Sequence, residues 1–376
     1  MQLRRLPQVF SLSIHADYRC RQSGRCCSAD WDVPVELPVY RSLSDALAAG
    51  RLRAAAPESL APFVVGDDLP EDAAAMLERT DEGTCVFFER GSHHCVVHRD
   101  LGEPALPATC RHFPRLAVQD ARGTFVTLSH FCPTAASMLF RTDVPLAIVP
   151  GPLAFPPRDY DGLTVTGSDL PPLLHPRMLM DLDGYSAWEA HMVARCADTG
   201  RLPESVVSTL HRDAAALAEW RPGDRTLAAA VRELPRCHVD APPHDTLERS
   251  LHLHQEVMAA VPPELAPASD GDGLTDAFAM FVRPEWSGVC GPVNRFVAAK
   301  AFASWTAYQG RGIATIVRGL EAAVALVRVE ASRGCRDAGR RLDEALLLEA
   351  FRSADFILNH LAVGEALADA WGTHER

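Results

Sequence analysis

Apolar residues follow a helical period through most of the second half of the chain. The clearest stretch runs from Ile313 through Leu320 to Val327, where apolar side chains recur every three to four residues. This spacing places them along one face of a helix. The pattern predicts helices over 175–198, 203–220, 224–234, 244–260, 293–308, 311–332 and 340–369.

The first 140 residues show no such period, because short apolar runs are broken by Gly, Pro, His and Cys. Within them the pattern predicts helices over 38–56 and 70–80, a β-hairpin over 83–98 and a helix opening at Pro133. The next segment is rich in proline and predicts a connector with short strands at 146–149 and 163–165. The predicted domains are a cysteine-cluster metal-binding domain at 1–140, a proline-rich connector at 141–175 and an α-helical domain at 176–376.

The predicted fold is therefore mainly α. It has an irregular cysteine-rich metal-binding N-terminal region with short β-hairpins, packed on an α-helical C-terminal body. The chain carries 37 Lys and Arg against 49 Asp and Glu, a net charge of −12, which argues against nucleic-acid or membrane-surface partners. No run approaches 18 apolar residues, and the N-terminal stretch is too polar for a signal peptide, so a cytoplasmic protein is expected.

The 11 cysteines are unevenly spread. Seven lie in the first 132 residues, namely Cys20, Cys26, Cys27, Cys85, Cys95, Cys110 and Cys132. The other four lie singly in helical patterns and are expected to be structural, namely Cys196, Cys237, Cys290 and Cys335. In the cytoplasm a thiol cluster more often binds metal than forms disulfides, so the seven are predicted metal ligands.

Thiolates suit two kinds of centre, a tetrahedral zinc site or an iron–sulfur cluster held by four cysteines. His98 is a further candidate ligand, and with the seven cysteines it exceeds the needs of one site. There are then two centres, or some of the cysteines serve another role. Adjacent Cys26 and Cys27 are expected to point in different directions, which favours a cluster or two neighbouring sites. Gly24 allows a tight turn that leaves amides free for thiolate sulfur.

The seven cysteines fall in four blocks of sequence, 18–33, 83–98, 106–115 and 128–133, and these blocks carry a family resemblance. Cys20 to Cys27 resembles the Cys-x-x-Cys-x-x-Cys-Cys signature of the YkgJ-type cysteine-cluster family, which is described as zinc- or iron-chelating. Trp31-Asp after the cysteine pair, Thr109-Cys-Arg-His-Phe-Pro-Arg115 and Leu128-Ser-His-Phe-Cys-Pro-Thr-Ala-Ala136 are closer to its flagellin lysine-N-methylase (FliB-like) branch. The resemblance is specific over 15–140 and loose beyond. Ser23 replaces the second cysteine of the signature, which favours a composite centre.

The resemblance implies S-adenosylmethionine-dependent methyl transfer to a protein lysine or a related nucleophile, in a protein with an iron–sulfur cluster of the 4Fe-4S type. It makes a lysine-bearing protein the expected substrate. Arg111, Arg115 and Asn294 are the candidate cofactor-binding residues, and no residue is assigned as catalytic. The chain has no glycine-rich loop of a Rossmann-like methyltransferase and no Cys-x-x-x-Cys-x-x-Cys loop. The alternative is a non-enzymatic zinc- or iron-binding protein with a structural, carrier or partner-docking role.

Overall fold

A computed structural model describes residues 8–29, 31–57, 59–66, 68–151, 172–223, 225–240, 246–266, 271–304 and 312–372. About half of the chain is helical and the sheets are small, so the predicted mainly α class is confirmed. The helices are α1 Leu37–Ala48, α2 Val96–Leu101, α3 Ala108–His112, α4 Pro133–Met138, α5 Leu182–Cys196, α6 Pro203–Ala218, α7 Leu227–Arg232, α8 Glu248–Met258, α9 Leu274–Ala277, α10 Cys290–Ala301, α11 Ile313–Ala338, α12 Glu344–Phe356 and α13 Gly364–Gly372.

The strands are short and fall mostly in the first half of the chain. They are β1 Val9–Leu12, β2 Pro34–Val35, β3 Phe63–Val64, β4 Ala75–Leu77, β5 Phe88–Glu89, β6 His94–Cys95, β7 Arg115–Asp120, β8 Gly123–Leu128, β9 Ile148–Pro150, β10 Leu173–His175 and β11 Met178–Leu179. They form a four-stranded sheet in the order β7-β8-β1-β9, a three-stranded sheet in the order β2-β4-β3, and two isolated pairs.

The described chain divides into two compact units. The cysteine unit comprises Tyr18–Arg115 and Cys132–Thr134, and the helical unit comprises 8–17, 116–131 and the described residues from 135 onward. This division differs from the domain boundaries predicted at 140 and 175. The reason is strand pairing, since β1 pairs in parallel with β8 and antiparallel with β9. Pairing across more than 100 residues leaves no local pattern in the sequence.

The helical unit is organised around α11, the longest helix. It packs against α6, α8, α10 and α12, and Val317, Leu326 and Val327 along it are fully buried. Its C-terminus is closed by Gly339 in the left-handed conformation, with φ 62°. Burial on several sides explains why residues 322–327 of this helix are apolar without a break.

The connector prediction meets the structure only at its ends. β9 overlaps the strand predicted at 146–149, whereas the strand predicted at 163–165 lies outside the described residues, as does the end of the helix predicted over 293–308. The helix predicted at 175–198 begins later, with α5, because β10 and β11 form a hairpin first.

In the cysteine unit one predicted helix is wrong. Residues 70–80 contain β4 instead, whose Ala75 and Leu77 are buried while Met76 between them is half-buried. Leu77 N donates to Val33 O at 3.0 Å, and β4 pairs with β3 on its other edge. Pairing on both edges overrides the modest helix preference of the alanines.

Two other predictions in this unit are closer to the structure. The helix predicted over 38–56 is present as α1 but ends early, where Gly50 turns the chain with φ +68°. The hairpin over 83–98 is confirmed as β5 and β6, with Phe88 paired to Cys95. Its return arm becomes α2 directly after Cys95.

Candidate metal centre

A tight turn brings the adjacent cysteines together. Gly24, with φ 68°, begins a 3-10 turn over Arg25–Ser28, and Cys27 N donates to Gly24 O at 2.9 Å. A Cβ at Gly24 would overlap the Phe88 ring and the His93 carbonyl, so only glycine fits there. The Sγ atoms of Cys26 and Cys27 lie 4.0 Å apart, and the prediction that they diverge is wrong.

Backbone hydrogen bonds join this turn to the second cysteine block. Cys85 N donates to Cys27 O at 2.8 Å, and Phe88 N donates to Cys85 O at 2.9 Å. Phe88 then pairs with Cys95 in the hairpin. Three separate positions of the sequence are therefore fixed next to one another by main-chain contacts.

The third block enters the same core through α3. Ala108 N, at the start of α3, donates to the Glu36 carboxylate at 2.8 Å. Cys27, Cys95 and Cys110 pack against the apolar core of which Cys85 is a buried member. Four cysteines from three blocks thus share one small core.

Cys27 shares hydrogen bonds with two neighbouring sulfurs, those of Cys26 and Cys95. The hydrogen bond from Cys27 lowers the pKa of Cys26, and the same kind of bond lowers the pKa of Cys95 to about 7. The backbone N–H groups of Val97 and His98, in the first turn of α2, add to the effect at Cys95. The hydrogen bonds with Cys26 and Cys95, followed by burial, raise the pKa of Cys27 itself. The arrangement favours thiolate at Cys26 and Cys95, which is the metal-binding form.

Burial favours the thiol form of Cys85 and of Cys110. Burial raises the pKa of Cys85 to about 12. Burial, followed by the neighbouring Cys85, Cys26 and Cys95, raises the pKa of Cys110 well above its usual value. Sulfurs that repel one another when ionised gain most from a cation placed among them.

The remaining two cysteines of the seven lie near Tyr18. The Tyr18 hydroxyl and the Cys132 Sγ are 3.6 Å apart, and the Arg115 guanidinium lies 5.3 Å from the centre of the Tyr18 ring. Cys20 accepts a hydrogen bond from Gln22 N at 3.3 Å. Burial raises the pKa of Cys20, and the charges of Cys26 and Cys132 add to the rise. The sequence did not single out Tyr18, since a tyrosine two residues before a cysteine carries no metal signal.

The donor set fits a thiolate-bound metal, although the coordination sphere is not formed. Two ligands of a tetrahedral zinc ion at about 2.3 Å are about 3.8 Å apart, close to the 4.0 Å between Cys26 and Cys27. Among the described residues, however, no three Cys, His, Asp or Glu side chains are placed to hold a metal ion as they stand. The seven cysteines all belong to the cysteine unit, and their role as ligands stays a prediction.

The other predicted site residues have different surroundings. The described contacts connect His98 to Cys95 through its backbone N–H. Arg111 donates to Leu106 O, and Arg115 donates to Arg111 O at 3.4 Å. Asn294, in the helical unit, is fully buried and donates to the carbonyls of Asp198 and Arg201 at 3.0 and 2.9 Å. The cofactor-binding roles of Arg111, Arg115 and Asn294 stay predictions.

The helical unit contains a buried polar cluster that the sequence did not reveal. Asp355 accepts from four donors, which are Lys300 Nζ and Asn359 Nδ2 at Oδ1, and Ser129 Oγ and Phe131 N at Oδ2. Burial alone would raise the pKa of Asp355, but Lys300 and His130 hold it well below its usual range. The only lysine of the chain therefore lies in a buried ion pair, and its rarity among 37 basic residues was the available signal.

Ser129 in this cluster is a hydrogen-bond bridge. Its Oγ lies 2.7 Å from Asp355 Oδ2 and 2.8 Å from His360 Nε2. Because ionised Asp355 can only accept, Ser129 donates to it and His360 Nε2–H donates to Ser129. That direction leaves His360 unable to act as a base toward the hydroxyl.

Comparisons with family models, curated proteins and solved structures found no match to this chain. Within the described residues, no helix is both long and apolar enough to cross a membrane.

Proposed function

We propose that the cysteine unit is a thiolate metal centre. We also propose that the protein is an iron–sulfur enzyme of the FliB-like type, which transfers a methyl group from S-adenosylmethionine to a protein lysine. The observation that carries the metal centre is the gathering of seven cysteines from four sequence blocks into one unit. The motifs that resemble the lysine-N-methylase branch support the reaction. The cytoplasmic location predicted from the sequence belongs to the same proposal.

The ligand set follows from the contacts. Cys26, Cys27 and Cys95 are joined by thiol hydrogen bonds, and Cys85 and Cys110 lie in the same core. The hydrogen bonds with Cys26 and Cys95 raise the pKa of Cys27. A metal ion bound in place of the thiol protons would remove that effect. Cys20 and Cys132, beside Tyr18, supply ligands to a second centre or complete the first.

When bound, an iron–sulfur cluster would supply a Lewis-acidic iron that can hold the amino-acid end of S-adenosylmethionine. In this proposal the chain's own residues orient the cosubstrate and exclude water from the thiols. The arginines of the third block, Arg111 and Arg115, add positive charge next to the cysteine unit's core and suit a carboxylate ligand. Buried Phe87 and Val86 keep water from one side of the thiols.

One observation favours the second candidate, a zinc-binding protein with a structural or docking role. The 4.0 Å separation of the adjacent sulfurs suits one tetrahedral ion, whereas each cysteine of a 4Fe-4S cluster binds a different iron atom. In that case the metal stabilises the small core of the cysteine unit and no cosubstrate is required.

Iron, zinc and acid-labile sulfide counts on anaerobically purified full chain separate the two candidates. The iron–sulfur proposal predicts iron and sulfide in similar amounts with a brown colour. Colourless protein with one or two zinc ions and no sulfide supports the zinc protein instead. Protein that retains neither metal, even after reconstitution with ferrous iron and sulfide or with zinc, contradicts both.

Methyl transfer needs its own test with cluster-replete chain. Isotope-labelled S-adenosylmethionine and lysine-rich flagellin should give acceptor lysines heavier by one or more methyl groups. The chain offers a low background, because its one lysine is buried against Asp355 with a side chain only 12% exposed. If cluster-replete chain does not bind S-adenosylmethionine, the proposed reaction is contradicted, whereas the proposed metal centre is not affected.

A further inference from the structure

The helical unit contains a cavity of about 490 Å³ that the metal proposal does not use. Its wall is mostly apolar and is built from β7, β8, α10, α11 and the residues after α12, with Ile316, Leu320 and Leu367 among the lining side chains. Its volume falls within the range of small-molecule sites. A predominantly apolar ligand fits such a wall.

One part of the wall is polar, and it is the end of the buried cluster around Asp355. Lys300 and Asn359 both line the cavity and both donate to Asp355 Oδ1. With four donors, the two carboxylate oxygens of Asp355 are saturated. The Lys300 ammonium has three N–H groups, one of which donates to Asp355, and it lies 5.0 Å from the centre of the Phe296 ring. The ammonium can therefore still donate to a ligand in the cavity.

The charge around the cavity decides what kind of acceptor it receives. Lys300 and Asp355 cancel one another, and burial lowers the pKa of His360, which favours the neutral form of its ring. Exposed Glu365, also in the wall, adds a negative charge. A carboxylate ligand would bring an uncompensated negative charge into this surrounding, which is costly. A neutral carbonyl oxygen accepts the hydrogen bond without that cost.

We infer that this cavity binds a small, mainly apolar molecule through a neutral carbonyl group that accepts a hydrogen bond from Lys300. The amine is ion-paired with Asp355, so the contact is non-covalent and forms no Schiff base. The site lies wholly in the helical unit and is independent of the proposed metal centre.

Three probes of the same shape test the polar end on the full chain by calorimetry, namely 2-acetylnaphthalene, 2-ethylnaphthalene and 2-naphthoate. A hydrogen bond from a charged donor predicts about 10-fold tighter binding of the ketone than of the hydrocarbon. The ketone should also exceed the carboxylate. Equal affinity of ketone and hydrocarbon overturns the role of Lys300, and tighter naphthoate binding overturns the choice of a neutral acceptor.

Matched variants test the location. Ala362 is a half-buried lining residue, and Ala362→Trp should weaken ketone binding by about 10-fold or more. Ala366 is an exposed residue of α13 outside the wall, and Ala366→Trp should leave ketone binding unchanged. Equal effects of the two variants, or no binding of any probe to the parent chain, contradict the site.

Borohydride treatment with the ketone tests the non-covalent contact, and it should leave the Lys300 peptide unmodified by mass spectrometry. A reduced adduct there overturns the non-covalent contact.

Discussion

The two units use the same residue type in opposite ways. In the helical unit Cys196, Cys290 and Cys335 are buried singly, and burial alone or as the first cause raises their pKa to about 12, 11 and 11. In the cysteine unit the thiols lie near other thiols, and hydrogen bonds between them lower the pKa of Cys26 and Cys95. An isolated buried cysteine behaves as a small apolar residue, whereas neighbouring thiols exchange hydrogen bonds and change one another's pKa.

Buried polar groups show the same contrast. In the helical unit Asp355 is neutralised by Lys300 and saturated with hydrogen bonds from the chain itself. In the cysteine unit Cys27 has hydrogen-bond partners in two sulfurs, those of Cys26 and Cys95, but its thiol has only one proton to donate. One unit satisfies its polar core with its own donors, whereas the metal that we propose would complete the other.

The largest expected effect is on the satisfied cluster. Asp355→Ala leaves Lys300 unpaired in a buried place and should lower the free energy of unfolding by about 3–5 kcal/mol. Urea unfolding of the full chain measures it. The control is Glu285→Ala, which breaks an ion pair with Arg341, a side chain 69% exposed, and should cost about 0–1 kcal/mol. Similar losses in the two variants would mean that Asp355 does not hold the helical unit together.

The next effect is at the turn that positions the paired cysteines. Gly24→Ala introduces a Cβ against Phe88 and His93 at φ +68°, and should cost about 2–4 kcal/mol in thermal unfolding of the metal-free chain. Gly50→Ala is a matched control, since it has the same φ and no atom within 4 Å, and should cost about 1 kcal/mol. If the two variants lose the same stability, the close packing at Gly24 is not what shapes the turn.

How far the sequence predicts the structure depends on how local the determining contacts are. The α11 segment is predicted because its period is local, and the hairpin at β5 and β6 is predicted because its turn is local. The β4 segment is mispredicted because its partners, β2 and β3, lie elsewhere in the chain. The proximity of Cys26 and Cys27 depends on the left-handed Gly24, which the sequence permits without requiring.

The site follows the same rule. The seven cysteines are recognisable by type and density, but which thiol shares protons with which depends on hydrogen bonds such as Cys85 N to Cys27 O. The cluster around Asp355 joins residues from 129 to 360. Single polar residues in apolar helices gave no indication that they would meet.

A smaller effect for each pH unit is expected from acid. Burial lowers the pKa of His15 and of His130 below the usual 6.5, so the unfolded chain takes up their protons first as the pH falls. Their contribution to stability is complete above pH 6.5 and is lost below it, by about 1.4 kcal/mol per pH unit for each ring. Urea unfolding between pH 7.5 and 5 measures the slope, which should flatten in His15→Gln. An unchanged slope in that variant would show that His15 is not buried as a neutral ring.

The smallest effect is expected at the exposed cysteine of the helical unit. Cys237→Ser should change the free energy of unfolding by less than about 0.5 kcal/mol and leave the metal content unchanged, because the side chain is exposed. Cys27→Ser should instead lose metal. Loss of metal in Cys237→Ser, measured by elemental analysis, would extend the centre beyond the cysteine unit.

The central claim is that the cysteine unit alone holds metal, and native thiol labelling of the full chain tests it most directly. Anaerobic chain is treated with iodoacetamide before and after removal of metal by a chelator, and each cysteine is scored by mass spectrometry. The account predicts that at least four of Cys20, Cys26, Cys27, Cys85, Cys95, Cys110 and Cys132 become labelled only after chelation, while Cys237 is labelled in both states. An identical labelling pattern before and after chelation would contradict it.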